Sequence, residues 1–235
     1  MDDTLPDSVE SRRVETDRLT TNVLVSGDPD GTALCLVHGN VSSSRFWAGL
    51  MADLPDDYWV LAPDLRGYGD SETKPVDATR GVQDYTEDLA ALFAEVGVEA
   101  VALVGWSIGG GIAMQYAIDY PETLTELVLV STMSPYGFGG TTSDGTPCQP
   151  DYAGTGGGLA DDEFVERLAE GDVTAEADAS PRSVMHAFYV GPDHEFASET
   201  ADAYVEAMCA TAVGDGNYPG DAVPSDNWPG VAPGE

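Results

Sequence analysis

The chain has 235 residues, 42% of them hydrophobic, which is enough to form the core of one large domain or of one domain with a lid. It carries 42 Asp and Glu against nine Lys and Arg, and its formal net charge is −33 at pH 7. This charge argues against nucleic acid and anionic membranes as partners, because both would repel it. The acidic residues are spread along the whole chain rather than gathered in a tail, and Lys74 is the only lysine. Such a surface is typical of a halophilic protein from a high-salt cytoplasm, where dissolved ions screen the self-repulsion.

The first residues contain neither a basic segment nor an apolar run, so no secretory signal is predicted, and no apolar run reaches membrane-spanning length. We therefore expect a cytoplasmic protein. Three cysteines, Cys35, Cys148 and Cys209, lack the spacing of metal ligands. Cys35 lies in an apolar run and is expected to be a small buried hydrophobic residue. A bridge between Cys148 and Cys209 remains open but unsupported.

Strands and helices are predicted to alternate along the first half of the chain. Residues 10–26 alternate as strands, and continuous apolar runs predict buried strands. These runs are Ala33–Val37, Tyr58–Ala62, Val98–Val104 and Leu124–Ser131. Helices are expected at Ser44–Leu54, from a cap at Asp84 or Thr86, and from Ile112. This order predicts a mainly parallel α/β sheet covered by helices on both faces.

Composition changes after Met133. Residues 134–160 are rich in Gly, Pro, Ser and Thr, which is typical of a loop that leaves the sheet. Short helices are then predicted at Asp161–Ala169, Ser180–Tyr189 and Ser198–Val213, before a loop-rich tail that includes Trp228. We expect residues 1–133 to form the sheet domain and residues 134–235 to form a helical lid with its tail.

The clearest chemical signal is Gly105-Trp-Ser-Ile-Gly109, which lies between a predicted strand and a predicted helix. A strand, a tight turn and a helix in that order are the context in which a G-x-S-x-G pattern indicates a nucleophilic serine. Gly105 and Gly109 lack the Cβ atoms that would clash in so sharp a turn. The alternative is a glycine-rich turn with a bystander serine.

Two further motifs accompany the serine motif: Leu36-Val-His-Gly-Asn40 and Ala62-Pro-Asp-Leu-Arg-Gly-Tyr-Gly-Asp-Ser71. In this order and spacing, the three motifs resemble the α/β-hydrolases, in particular the cap-bearing branch of haloperoxidase-like and C–C-hydrolase-like enzymes. The resemblance covers residues 10–135 closely and the later residues only loosely. It implies an α/β-hydrolase fold with a helical cap and a serine hydrolase mechanism.

The resemblance also implies roles for individual residues. Ser107 would be the nucleophile, and the backbone N–H groups of Ile108 and Asn40 would form the oxyanion hole, to which the Asn40 side chain would contribute as well. His38 and Gly39 would shape the oxyanion loop, with His38 not acting as the base. Trp106 would line the acyl pocket or pack under the lid.

In the second of the two further motifs, Asp64 and Arg66 are expected to form a buried supporting ion pair. The choice of Ser rather than Asp at position 107 disfavours dehalogenase and epoxide-hydrolase chemistry.

The family's catalytic acid and histidine are not evident in the sequence. Beyond Ser107 the only histidines are His186 and His194, and the first acid after the Leu124–Ser131 run and the Thr132-Met133 pair is Asp144. Three accounts remain open: a truncated hydrolase that lacks its last strands, a non-catalytic relative that binds a ligand or partner, or a lid histidine acting as a substitute base. The truncated hydrolase is the preferred account.

From these observations we predict a serine hydrolase acting on an ester, lactone, thioester or C–C bond of a small apolar substrate. The 235-residue chain itself is expected to be inactive, with an uncovered sheet edge that favours self-association into a homo-oligomer.

Overall fold

The structure is a computed structural model that describes residues 5–135, 142, 146–154, 160–191, 193–227 and 231–233. Its strands are β1 (Glu10–Glu15), β2 (Thr20–Gly27), β3 (Thr32–Val37), β4 (Tyr58–Pro63), β5 (Val101–Trp106), β6 (Leu124–Val130), β7 (Val213–Gly214), β8 (Tyr218–Pro219), β9 (Ala222–Pro224) and β10 (Val231–Pro233). Its α-helices are α1 (Ala48–Asp53), α2 (Gln83–Val96), α3 (Ile108–Asp119), α4 (Asp162–Glu170), α5 (Pro181–Phe188) and α6 (Ser198–Cys209). Short 3₁₀ helices span Ser44–Trp47 and Ala78–Arg80.

Strands β1 to β6 form one sheet in the order β1-β2-β4-β3-β5-β6. Strands β3, β4, β5 and β6 are parallel to one another, whereas β1 and β2 form an antiparallel extension beside β4. The central strands are buried on both faces, which explains why they are continuous apolar runs in the sequence.

Helices cover both faces of this sheet. Alternate residues of a strand point to opposite faces, and the side chains of β3 divide accordingly. Cys35 lies in the cluster that contains residues of α2 and α3, whereas Leu36 lies in the cluster that contains residues of α1. The prediction of a mainly parallel sheet flanked by helices is confirmed.

In the described part of the chain, strand β6 lies at one edge of the sheet and β1 lies at the other. The sequence predicts this strand correctly but as part of the core, and that placement is wrong because β5 is the one strand beside it among the described residues. Its side chains from Leu127 to Val130 are between 36% and 49% exposed. The self-association expected from such an edge stays a prediction.

Helices α4, α5 and α6 pack around a separate apolar cluster. Its buried members include Phe164 of α4, Met185 of α5 and Val205 of α6, together with Val41 from the loop after β3. The division of the chain at residue 133 stays a prediction, and much of the predicted 134–160 loop, as well as Trp228, lies outside the described residues.

The expected start of α2 is wrong. Asp84 and Thr86 lie inside the helix and are buried, and α2 begins one residue before Asp84 without a side-chain cap. Asp84 instead binds Arg80 and the backbone N–H of Asp77, and the Thr86 hydroxyl donates to the Val82 carbonyl. Tertiary partners therefore outweigh the capping preference of these side chains.

All three cysteines are free, so the bridge left open between Cys148 and Cys209 is absent. None of the helices in the described part of the chain has the length and apolar character needed to cross a membrane.

Candidate active site

Ser107 lies at the sharp turn where β5 ends and α3 begins. Its backbone adopts φ 56° and ψ −120°, a conformation that non-glycine residues rarely occupy. Several hydrogen bonds to the Ser107 backbone hold this turn, of which three are 3.2 Å or shorter. The N–H of Ser107 donates to the Val130 carbonyl of β6 (3.0 Å), and its carbonyl accepts from the N–H of Gly110 (3.1 Å) and the hydroxyl of Thr132 (3.2 Å). The turn therefore depends on β6 as well as on β5 and α3.

Two glycines make the turn sterically feasible. A Cβ at Gly105 would lie 2.4 Å from the carbonyl oxygen of Gly109. A Cβ at Gly109 would lie 2.4 Å from the carbonyl oxygens of both Val37 and His38. Both distances are far inside van der Waals contact, so the spacing of glycines in the motif follows from the close approach of α3 to β5 and to the end of β3.

The loop after β3 brings Gly39 and Asn40 next to the serine. A Cβ at Gly39 would lie 3.1 Å from the Trp106 ring and 3.2 Å from the Ser107 Cβ, so the two loops are in contact there. Asn40 follows directly, and its side-chain Oδ1 accepts a hydrogen bond from the Tyr68 hydroxyl at 2.6 Å. Ile108 is the first residue of α3, where backbone N–H groups have no partner within the helix. Asn40, Ser107 and Ile108 thus lie on adjoining segments, as the assigned roles require.

His38 is fully buried, and both of its ring nitrogens are used. Its Nε2 accepts from the N–H of Leu65 (2.9 Å), so Nδ1 carries the proton and donates to the carbonyl of Gly39 (2.8 Å). Burial lowers the pKa of His38, which keeps the ring neutral. These contacts support the interpretation of His38 as a residue that shapes the loop, and they leave no nitrogen with which it could act as the base.

The predicted ion pair between Asp64 and Arg66 is wrong. Asp64 is surrounded by neutral donors and accepts hydrogen bonds from the Asn22 side chain and from the N–H groups of Ser44 and Asp70. These bonds tie the second motif to β2 and to the first 3₁₀ helix, which begins at Ser44. The Asp64 carboxylate thus accepts its hydrogen bonds from neutral groups, and the guanidinium of Arg66 binds other residues.

Arg66 reaches α2. It forms a bidentate pair with Asp88 at 2.6 and 2.7 Å and donates to the carbonyl of Pro75. Asp84 lies 3.8 Å from the same guanidinium. Desolvation by burial lowers the pKa of Arg66, but hydrogen bonding to Asp88 together with the charges of Asp88 and Asp84 raises it overall.

An aromatic group covers the serine turn. Trp106 lies 5.4 Å from the Tyr189 ring in an edge-to-face arrangement and 5.8 Å from the Phe46 ring, measured between centroids. Tyr189 directly follows α5, so the indole lies beneath the helical region. This position is compatible with both expectations for Trp106, as pocket wall and as packing residue.

The remaining histidines, His186 and His194, are exposed, and both rings contact another aromatic side chain, that of Phe196. Among the described residues, the Ser107 hydroxyl forms no hydrogen bond with any histidine. Asp144 lies outside the described residues. No cluster of three or more potential metal ligands is found in the described part of the chain.

Sequence reasoning missed three residues at this site: Val41, Tyr68 and Tyr189. Tyr68 lies inside the second motif, and that position is the one signal that could have drawn attention to it. Tyr189 contacts the loop across 149 positions of sequence, a separation at which no local pattern predicts contact.

Comparison with known proteins identifies the family. Residues 32–152, just over half of the chain, match the profile of the family described as alpha/beta hydrolase fold. The chain therefore belongs to the α/β-hydrolase family, as its three motifs predict.

Similar proteins include an uncharacterized protein of Mycobacterium bovis, 38% identical over 114 residues, which are 48% of this chain and 31% of that protein. A 2-hydroxymuconate semialdehyde hydrolase of Pseudomonas sp. is 34% identical over 117 residues, 48% of this chain and 40% of the enzyme. The crystal structure of a putative lipase from Acinetobacter baumannii has the same fold, with a TM-score of 0.62, 22% identity and coverage of 87% of this chain and 62% of that one. The matched segment is thus less than half the length of these two sequence relatives.

Proposed function

We propose that the chain carries the nucleophile and the oxyanion hole of a serine hydrolase that acts through an acyl-enzyme. The observation that carries this proposal is the strained backbone of Ser107 between β5 and α3. Backbone strain of this kind persists where the surrounding structure imposes it, and it concentrates at active sites. In an α/β-hydrolase such a turn presents the serine hydroxyl at the top of the sheet.

In the proposed reaction, Ser107 Oγ bonds to the carbonyl carbon of the substrate while its proton passes to a base. The oxygen of the attacked carbonyl becomes an anion, which the N–H groups of Ile108 and Asn40 stabilise together with the Asn40 side-chain amide. Collapse of this intermediate breaks the bond to the leaving group, which departs with a proton, and water then hydrolyses the acyl-enzyme. The proposal assigns the nucleophile and the oxyanion donors and leaves the base unassigned.

The proposed substrate is a small apolar molecule with an ester, lactone, thioester or C–C bond at the reacting carbon. The rings of Phe46 and Tyr189, which pack against Trp106 next to Ser107 in the sequence, support an apolar acyl group. The similarity to a 2-hydroxymuconate semialdehyde hydrolase supports hydrolytic chemistry. We further propose that residues 134–235 form the lid, that the protein acts in the cytoplasm, and that it needs no cofactor, nucleic acid or membrane.

The nucleophile can be tested with a fluorophosphonate probe in molar KCl. Attack forms the bond between Ser107 Oγ and phosphorus and breaks the P–F bond, so fluoride leaves and the hydroxyl proton goes to the buffer. We expect slow labelling of the wild-type chain, because the oxyanion donors act there without an assigned base. Labelling is detected by mass spectrometry on the peptide containing Ser107, and it should be lost completely in Ser107→Ala. Equal labelling of Ser107→Ala would show that another residue reacts and would remove the basis of the proposal.

Turnover is expected to be unmeasurable for the 235-residue chain with p-nitrophenyl acetate or butyrate in molar salt. His38 has both nitrogens occupied, and neither His186 nor His194 bonds to Ser107 within the described residues. A triad enzyme without its base retains only roughly 10³ to 10⁴ of acceleration over water. The control is His186→Ala and His194→Ala: a sigmoid pH profile near neutrality that one of these changes abolishes would identify a histidine base and contradict this prediction.

A second candidate is a binding protein that keeps the pocket without turnover. The exposed positions of His186 and His194, turned toward Phe196, favour it. The two candidates differ in the labelling experiment, because a binding protein with an unreactive Ser107 would give no phosphonylated product.

A further inference from the structure

Val41, the residue after Asn40, is held in an unfavourable backbone conformation. Its φ is 45°, in the left-handed region that β-branched residues avoid. Its side chain is only 2% exposed and belongs to the apolar cluster of α4, α5 and α6. The loop that carries a proposed oxyanion donor is therefore attached to the helical region by a strained residue. Other contacts must keep the Val41 backbone in this conformation.

The Tyr189 hydroxyl supplies one such restraint. It donates to the carbonyl of Asn40 at 3.0 Å and is 3.2 Å from the carbonyl of Val41, so it engages both peptide groups that flank the strained residue. The ring is fixed edge-to-face against Trp106. Burial raises the pKa of Tyr189, so the hydroxyl remains a donor at any working pH.

The Tyr68 hydroxyl restrains the side chain of the same asparagine from the sheet side. It donates to Asn40 Oδ1 at 2.6 Å, a short hydrogen bond that fixes which end of the carboxamide faces the second motif. The Nδ2 amide is consequently the end left to bind an oxyanion. Tyr68 is buried and packs edge-to-face on His38, whose ring positions the same loop.

We propose that Tyr189 and Tyr68 are positioning residues of the oxyanion hole, Tyr189 for the backbone of Asn40 and Val41 and Tyr68 for the Asn40 side chain. The inference rests on the proposed function, since it concerns the oxyanion donors of Ser107. Under this proposal the helical region contributes to the active site, because removal of the Tyr189 hydroxyl would free the loop after β3 that carries Asn40. Neither tyrosine touches the reacting atoms in this proposal.

The test compares Tyr189→Phe and Tyr68→Phe with Tyr204→Phe as the matched control. Tyr204 belongs to the same region and stacks on Phe46 at 4.2 Å, but its hydroxyl forms no hydrogen bond among the described residues. Each substitution removes one hydroxyl and keeps the ring, so the packing changes are the same in kind. Only the first two variants remove a hydrogen bond to the oxyanion loop.

The first measurement is the rate of fluorophosphonate labelling at Ser107, separated into the inactivation rate at saturation and the probe concentration at half-saturation. Removing an oxyanion donor costs roughly 10²- to 10³-fold, and misplacing one should cost less. We expect the saturated rate to fall about tenfold in Tyr189→Phe and Tyr68→Phe, with the half-saturating concentration unchanged and Tyr204→Phe equal to wild type. Unchanged saturated rates in both variants, or an equal fall in all three, would overturn the inference.

The second measurement is amide hydrogen exchange over residues 39–45, which does not depend on the reaction. We expect faster exchange in this segment in Tyr189→Phe, with exchange in β3 and β5 unchanged, and no local change in Tyr204→Phe. If the wild-type chain is not labelled above the Ser107→Ala background, the proposed function fails, and exchange then decides the inference. The inference would be overturned if amides 39–45 of Tyr189→Phe exchanged at the same rates as in the wild-type protein.

Discussion

Gly109→Ala is expected to lower the free energy of unfolding by about 3 kcal/mol or more, the upper part of the range for overpacked sites. The added Cβ would lie 2.4 Å from the carbonyl oxygens of Val37 and His38. Both obstacles are backbone atoms at the end of a central strand, so no side-chain rotation can relieve the contact. The start of α3 would have to move away from β3, and the Ser107 turn would move with it.

The matched control is Gly49→Ala. Gly49 is the second residue of α1, as Gly109 is of α3, but a Cβ there would meet nothing within 4 Å. Alanine should stabilise that helix by about 0.5–1 kcal/mol because it restricts the unfolded chain more than glycine does. Denaturant unfolding followed by circular dichroism in molar KCl measures both variants. A Gly109→Ala protein as stable as wild type would mean that the close approach of α3 to β3 is not as described.

Asp88→Ala is expected to destabilise the fold by about 3 kcal/mol, because it leaves the buried Arg66 without its bidentate partner. Arg66 and Asp88 have side chains only 7% and 8% exposed, and Asp88 also accepts from Arg18 at 2.9 Å. We place the effect at the lower end of the usual range because Asp84 remains 3.8 Å from the guanidinium.

Glu87→Ala is the control in the same ion-pair network. Glu87 is 26% exposed and pairs with Arg18 and Arg80, which are 29% and 42% exposed, so its removal should cost less than about 1 kcal/mol. Raising the KCl concentration should shrink the effect of Glu87→Ala and leave that of Asp88→Ala, since salt screens exposed pairs far better than buried ones. Equal effects in the two variants at every salt concentration would contradict the assigned burial.

Local chemistry accounts for what the sequence predicted well. Ser180 caps α5 by accepting from the Ser183 N–H, and Pro181 occupies the first helical position, as the sequence indicates. The serine turn is equally local, because two glycines and the flanking strand and helix lie within one short stretch. The helices and parallel strands follow from apolar periodicity, which burial in the sheet imposes.

Long-range contacts account for what the sequence did not predict. The expected pairing of Asp64 with Arg66 assumes that nearby opposite charges meet, yet Arg66 binds Asp88, 22 positions away, and Asp64 is satisfied by neutral donors. The strained backbone of Val41 depends on the apolar cluster of α4, α5 and α6. The sequence does not predict this strain, because valine on its own disfavours a positive φ. The roles assigned to Ser107, Ile108 and Asn40 stay predictions until the labelling experiments are done.

The hydrogen bond from the Ser107 N–H to the Val130 carbonyl couples the serine to an edge strand of the sheet. Edge strands open at lower free energy than central ones, and each opening of β6 removes the bond that supports the turn. We therefore expect the fraction of molecules with a well-formed turn to follow fraying at the end of β6 rather than global unfolding. Any mutation that stiffens this strand should narrow the distribution of Ser107 conformations, even where the melting temperature does not change.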